Sequence, residues 1–147
     1  PALADGLAKA GRSWNDFKIA AQCMIATGAD DRAYAEALAR TRFQIAFYGS
    51  TPIYAKALEA EGWGDLHPTL RQMTRENRWL EMGQLITDEM CERFAVIGEP
   101  QEIGAKLVAR FGSWVDRLSL MTTYRLDPEV ASQIVSDIHA LTAERGA

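Results

Sequence analysis

Cysteine and histidine are both scarce in this chain. Cys23 and Cys91 are the two cysteines, and they share no Cys-x-x-Cys spacing. That argues against a disulfide framework or a zinc site and leaves two reduced, buried thiols as the expectation. His67 and His139 are the two histidines, too few for a His-based metal site. There is no excess of positive charge: the net charge is -4. Such a balance gives no electrostatic footprint for nucleic acid and no attraction to an anionic membrane surface. No apolar run approaches the roughly 20 residues that a spanning helix needs. There is also no internal repeat, low-complexity stretch or evident linker. The chain opens Pro1-Ala-Leu-Ala, without an initiator Met or a signal-peptide pattern. A chain that opens inside a helical pattern reads as a processed product or a fragment, and the absence of an export signal makes the cytoplasm the expected location.

What is present suits one globular domain. The 147 residues are 48% hydrophobic and 24% charged, enough to bury a core. PALADGLAKAG predicts a helix with Pro1 in its first turn and Gly11 as its stop. Phe17 to Gly28 is short and nearly all apolar, as expected of a strand covered on both faces in a parallel sheet. Asp30 or Asp31 caps a helix that runs to about Tyr48. In FYGSTPIY, Gly49 reads as a helix stop, Ser50 or Thr51 as the next cap and Pro52 as its first residue. The competing reading of the same stretch is a binding loop of exposed amides and hydroxyls. Ile53 to Ala60 predicts a short helix, and EGWGD a turn that plugs Trp63 into the core. His67–Asn77 and Trp79–Thr87 predict two helical pieces, followed by a polar continuation over 88–93.

Phe94 to Gly98 predicts a short strand. Pro100 then opens a helix with Glu99 at its positive end, and Ile103, Leu107, Val108 and Phe111 form its buried face. Val115 to Tyr124 predicts a further strand. Asp127 and Pro128 start the last helix, whose apolar side carries Val130, Ile134, Ile138 and Leu141. Strands alternating with helices imply βαβ units and a parallel sheet. Residues 51–92 break that rhythm and read as a helical insertion. Two or three strands are too few for a complete covered sheet, and a closed eightfold barrel needs about 250 residues. The first strand is therefore expected to carry an open edge.

FQIAFYGSTPIYAKALEAEGWGDL, WLEMGQLITDEM, FAVIGEPQEIGAKLVARFG and VDRLSLMTTYRLDP together resemble the C-terminal half of luciferase-like monooxygenases, over Pro1 to about Leu141. The branch most resembled uses the deazaflavin coenzyme F-420. The resemblance implies the C-terminal part of a (β/α)8 TIM-type barrel, with a helical insertion at 51–92 within a single domain, 1–147. It implies an oxidoreductase that moves a hydride to or from an organic substrate, with coenzyme F-420 as cofactor and FMN as the alternative. It implies also that the chain lacks the N-terminal strands and by itself is inactive. Its partners would be a small-molecule substrate and either the missing N-terminal half or a second copy of the chain, as a homo-oligomer.

In a barrel enzyme the site lies at the C-terminal ends of the strands, here Ala26-Thr27-Gly28 and Thr122-Thr123-Tyr124-Arg125. Tyr124 offers a hydroxyl and a flat face. Arg125 offers a fork suited to phosphate or carboxylate, with pairing to Asp127 as the plainer reading. On the resemblance, Gly49, Ser50, Thr51 and Arg125 contact the cofactor, and Tyr48 and Tyr124 contact the substrate. No general base stands out. His67 reads as a cap or a solvated group, His139 as a surface group, and Glu36, Glu59 and Glu102 as solvated helix faces. A different class remains open: a non-catalytic helical interaction module in which both predicted strands are helical or packed loops.

Overall fold

The computed structural model describes residues 2–145. In chain order the elements are α1 (Ala2–Ala10), β1 (Ala20–Ala26), α2 (Asp31–Ser50), α3 (Ala55–Ala60), α4 (Leu66–Arg75), α5 (Trp79–Met82), α6 (Asp88–Phe94), β2 (Ala95–Ile97), α7 (Pro100–Phe111), β3 (Arg117–Met121) and α8 (Pro128–Arg145). Both long predicted strands are strands, so the chain is a helix-rich α/β structure with a small parallel sheet. Gly11 leaves α1 at φ +62°, the left-handed turn that glycine adopts at little cost. The predicted opening residue Pro1 lies outside the described residues.

Several boundaries differ from the sequence expectation. Trp14–Asp16 forms a 3-10 turn, so β1 starts at Ala20 rather than Phe17. Asp30 caps α2, its carboxylate accepting from the Ala33 N–H at 2.7 Å. That helix then runs through Gly49 and Ser50 and is closed by Thr51. Gly49 is therefore a helical residue rather than a stop. Its place is packing: a Cβ there would lie 2.9 Å from Leu70 and 3.0 Å from Leu58. The predicted caps Ser50 and Thr51 do not cap the following 3-10 turn, Pro52–Tyr54; both hydroxyls turn back on α2 instead. Only Trp79–Met82 of the predicted 79–87 piece is α-helical, followed by a 3-10 turn over Gly83–Leu85. Thr87 then caps α6, which takes in Phe94, and β3 is shorter than the predicted 115–124 stretch.

The strand order is β2-β1-β3, all parallel. β1 is thus the central strand, and the free edges belong to β2 and β3 rather than to the first strand as expected. A barrel winds its strands successively; here β3 lies beside β1, and β2 lies on the other side. Register pairs Met24 with both Ala95 and Met121. At the start of the β1–β3 pair, Ile19 is held twice over. Its carbonyl accepts from the Asp116 and Arg117 N–H groups, and its own N–H donates to the Asp116 carboxylate at 2.9 Å.

Side chains alternate across the sheet. One face, with Cys23, Ile25 and Val96, packs on Ile103, Leu107, Val130 and Ile134 of α7 and α8. The opposite face holds Gln22 and Ser119, both exposed, and Met24 and Met121, both half-buried. Met24 leans against a second core of Ile45, Leu58, Leu70, Met82, Ile86 and Cys91, built by α2 to α6. Trp63 packs against that second core, edge-on to Phe94 at 5.7 Å, as its Gly-flanked turn predicts. No helix of the described residues is long and apolar enough to cross a membrane.

Candidate functional site

Two hollows carry the residues singled out from the sequence, and they lie at opposite ends of α2. The first is at the C-terminal ends of β1 and β3. A polar hollow of about 340 Å³ opens there among Thr27, Gly28, Asp30, Tyr124, Arg125 and Asp127. Gly28 makes this corner possible, because a Cβ on it would collide with the backbone of Ala33 and Tyr34 in the first turn of α2.

The Tyr124 hydroxyl is committed to the main chain of β1. It accepts from the Thr27 N–H at 3.0 Å and donates to the Ile25 carbonyl at 3.3 Å. Burial pushes this phenol above its ordinary pKa, with the Thr27 N–H pulling the other way. Tyr124 therefore clasps the two strands beyond the last ladder bond. Beside it the Thr27 and Thr123 hydroxyls are buried and, among the described residues, without a partner. Arg125 is exposed, and among the described residues it makes no ion pair. The pairing expected with Asp127 is not made, because Asp127 accepts from the Glu129 and Val130 N–H groups at 2.8 and 3.4 Å. Both helix N-termini at this hollow thus spend first-turn donors on their own Asp caps.

The second hollow is apolar, about 170 Å³, and sits between the open face of the sheet and the C-terminal end of α2. Met24, Ile45, Tyr48, Tyr54, Ala57 and Phe94 line it, with Gly49 and Leu58 beneath. The Tyr48 and Tyr54 rings are 5.0 Å apart between centroids. Phe47 continues the aromatic row outward, 6.2 Å from Tyr48 and 6.3 Å from Trp79.

Of the residues assigned from the sequence, Tyr48 and Gly49 line this apolar hollow. Ser50 and Thr51 adjoin it, but their hydroxyls donate to the Phe47 carbonyl at 2.7 and 3.3 Å. The Gly49 carbonyl is met by Nδ1 of His67 at 2.6 Å, so His67 ties α4 to the last turn of α2 rather than capping its own helix entry. Tyr124 and Arg125 lie at the other hollow. Asp31 and Gly49 are 18 positions apart, so at 1.5 Å per helical residue the two groups are separated by about 27 Å. One small chemical group cannot touch both. Met24, Tyr54 and Phe94 were not singled out from the sequence. Tyr54 lies six positions beyond Tyr48, across the Pro52 bend, and no local pattern brings the two rings together.

The donor set can be weighed against a flavin-type cofactor, whose tail is anionic. At the polar hollow Arg125 is the single cation, and Asp30, Glu36 and Asp127 line the same space. One guanidinium among three carboxylates does not suit a phosphate. The apolar hollow offers no charged group at all. Neither hollow is therefore built to hold the anionic part of such a cofactor. Among the described residues, no group of three or more His, Cys, Asp or Glu side chains is arranged to hold a metal ion.

Comparison with known proteins adds the remaining facts. The sequence model of a family described as luciferase-like monooxygenase matches residues 1–117. An uncharacterized protein of Mycobacterium bovis and two of Mycobacterium tuberculosis are each 50% identical to the chain over 118 residues. That alignment takes in 80% of this chain and 35% of each relative, so the chain spans about a third of the length of the curated relatives it matches. No solved structure matches it significantly.

Proposed function

The chain belongs to the luciferase-like monooxygenase family, and from that premise we propose that it is the C-terminal part of a coenzyme F-420-dependent oxidoreductase acting on a small organic substrate. Family membership supports an oxidoreductase-type function with a flavin or deazaflavin as the redox group. The observation that carries the finer reading is the sheet face bearing Gln22, Met24, Ser119 and Met121, which the α2–α6 core covers at Met24 but which stays exposed at Gln22 and Ser119, and which leads into the apolar hollow at Tyr48. In this reading β1 and β3, neighbours in the sheet, are two successive strands of a (β/α)8 barrel in the whole protein. The three-residue β2 sits on the edge of β1 where a preceding barrel strand would lie. Residues 51–92 form the insertion over the barrel mouth.

The cofactor, when bound, supplies the hydride chemistry. The residues of this chain do the work around it. Tyr48, with Tyr54 and Phe94, holds the organic substrate and excludes water from its apolar part. Tyr124 keeps the ends of β1 and β3 in fixed register. Arg125, unpaired within the described residues, is the one cation at the strand ends; at the far end of α2 from Tyr48, it is out of reach of a small substrate held there. The cofactor's phosphate and acidic tail are held outside the chain, by the N-terminal part of the whole protein or by a second copy, and the same contact covers the open sheet face.

Titration with coenzyme F-420 and, in parallel, FMN tests this reading, on the chain alone and on the same chain joined to the N-terminal part of a relative. Saturable binding of coenzyme F-420 to the joined protein is expected, with the chain alone binding weakly or not at all. Preference for FMN would replace the deazaflavin reading with that of an FMN-dependent monooxygenase. Binding of neither cofactor by the joined protein would overturn both and favour a non-catalytic interaction module.

A further inference from the structure

We propose that the hollow between Tyr48 and Tyr54 is the pocket for a single apolar ring, or a short branched hydrocarbon group, of the substrate. The inference rests on the reading of Tyr48 as a substrate contact and names what that contact recognises. The first argument is size. At about 170 Å³, the hollow is close to the roughly 150 Å³ that suffices for benzene in an apolar cavity, and it is open on the side of Tyr54. A whole fused ring system such as a deazaflavin exceeds that space, which favours the substrate over the cofactor as its occupant.

The second argument is the lining. Met24, Ile45, Ala57, Leu58 and Phe94 present hydrocarbon or thioether surface, and the only polar side-chain atoms among the lining residues are the two phenol hydroxyls. A charged or strongly hydrated group entering here would lose water without gaining a partner. The third argument is the shape of the walls. The Tyr48 and Tyr54 rings, 5.0 Å apart and tilted by 47°, form an angled corner that a third ring can enter edge-to-face. Met24 closes the far side with a flexible thioether, which favours aromatic contact.

Rigidity is the fourth argument. Gly49 lets α2 pack closely on Leu58 and Leu70. His67 secures the Gly49 carbonyl, and Ser50 secures that of Phe47. The wall carrying Tyr48 is therefore set by hydrogen bonds that a ligand need not displace. Tyr54, on the 3-10 turn opened by Pro52, is nearly half exposed, at 47%, and forms the outer lip.

The test uses the chain of residues 1–147 with its methionine methyl groups labelled with carbon-13, so that Met24 reports on the hollow and Met73, Met82, Met90 and Met121 serve as references. Titration with toluene is expected to shift the Met24 methyl saturably and leave the references almost unmoved; acetate is expected to shift none of them. Ala57 lines the hollow and is exposed on α3. Ala57→Leu should fill the space and weaken toluene binding at least tenfold while the reference methyls keep their positions. Ala57→Met, with a more adaptable side chain, should do the same. No shift at Met24, an equal shift at all five methyls, or toluene binding unaltered in both variants would overturn the proposal. The readout needs neither cofactor nor turnover. Toluene binding by the chain, with neither cofactor bound by the protein joined to an N-terminal part, would sink the oxidoreductase reading and keep the pocket, and the reverse result would sink the pocket alone.

Discussion

Tyr124 illustrates how one side chain can be legible as important while its structural work stays hidden in the sequence. Its place at the end of a strand pointed to substrate. Its hydroxyl, however, is already held between the Thr27 N–H and the Ile25 carbonyl, and its direct consequence is stability. Tyr124→Phe would leave a buried N–H and a carbonyl without their partner and should cost about 1–3 kcal/mol, read from the denaturant midpoint. The pH dependence has a definite sign. Burial raises the folded-state pKa above the ordinary phenol value of 10.0, so the folded state holds this proton more tightly than the unfolded chain does. The contribution is fully present below about pH 10 and is lost as pH rises through the higher folded value. The native chain should show this alkaline loss, and Tyr124→Phe should show a smaller one, with Tyr34 and the two buried thiols still contributing in the same direction. Arg125, one position on, makes no ion pair among the described residues, and no local pattern announces that Asp30 and Glu36 come to the same hollow.

At the level of elements, the close approach of α7 and α8 depends on Gly104. A Cβ there would stand 2.7 Å from the Asp137 Cβ and 3.5 Å from the Ile134 carbonyl oxygen. Neither atom is the free end of a flexible chain, so the helices themselves would have to part. Gly104→Ala gains up to about 1 kcal/mol of helix propensity and loses about 1–3 kcal/mol to overpacking. The net expectation is a destabilised protein with a lower thermal midpoint, and an unchanged or higher midpoint would show that the two helices are free to separate. The helices predicted from periodicity and caps are all present, since those signals act within one turn. Pro100 opens α7, and the Glu99 N–H donates to the Glu102 carboxylate at 3.2 Å, both readable in the string GEPQE. The extension of α2 through Gly49 and Ser50 was not readable. Gly49 is tolerated there because Leu58 and Leu70, 9 and 21 positions away, occupy the space that a side chain would need.

Across the whole molecule, the two cores lie on opposite faces of one sheet and share β1. Cys23 belongs to the α7–α8 core and Cys91 to the α2–α6 core, and burial raises both thiols above their ordinary pKa. Because Met24 and Ile25 belong to different cores on the same strand, loss of one core should unseat the other. Thiol labelling of the single-cysteine variants Cys23→Ser and Cys91→Ser across a denaturant series should therefore give coincident midpoints; separated midpoints would mean two independently unfolding halves. The sequence by itself determined the parallel α/β class, the helices and most of their caps, the buried thiols and the family, because each depends on local spacing or on quoted motifs. The tertiary structure alone decided that β1 is central. It also decided that Tyr48 and Tyr54 face each other across a hollow, and that the residues read as one site divide between the two ends of α2, about 27 Å apart. Strand order and ring pairing are set by which apolar faces meet when the chain closes on itself, and that choice involves residues far apart along the chain, whose partners no local pattern can name.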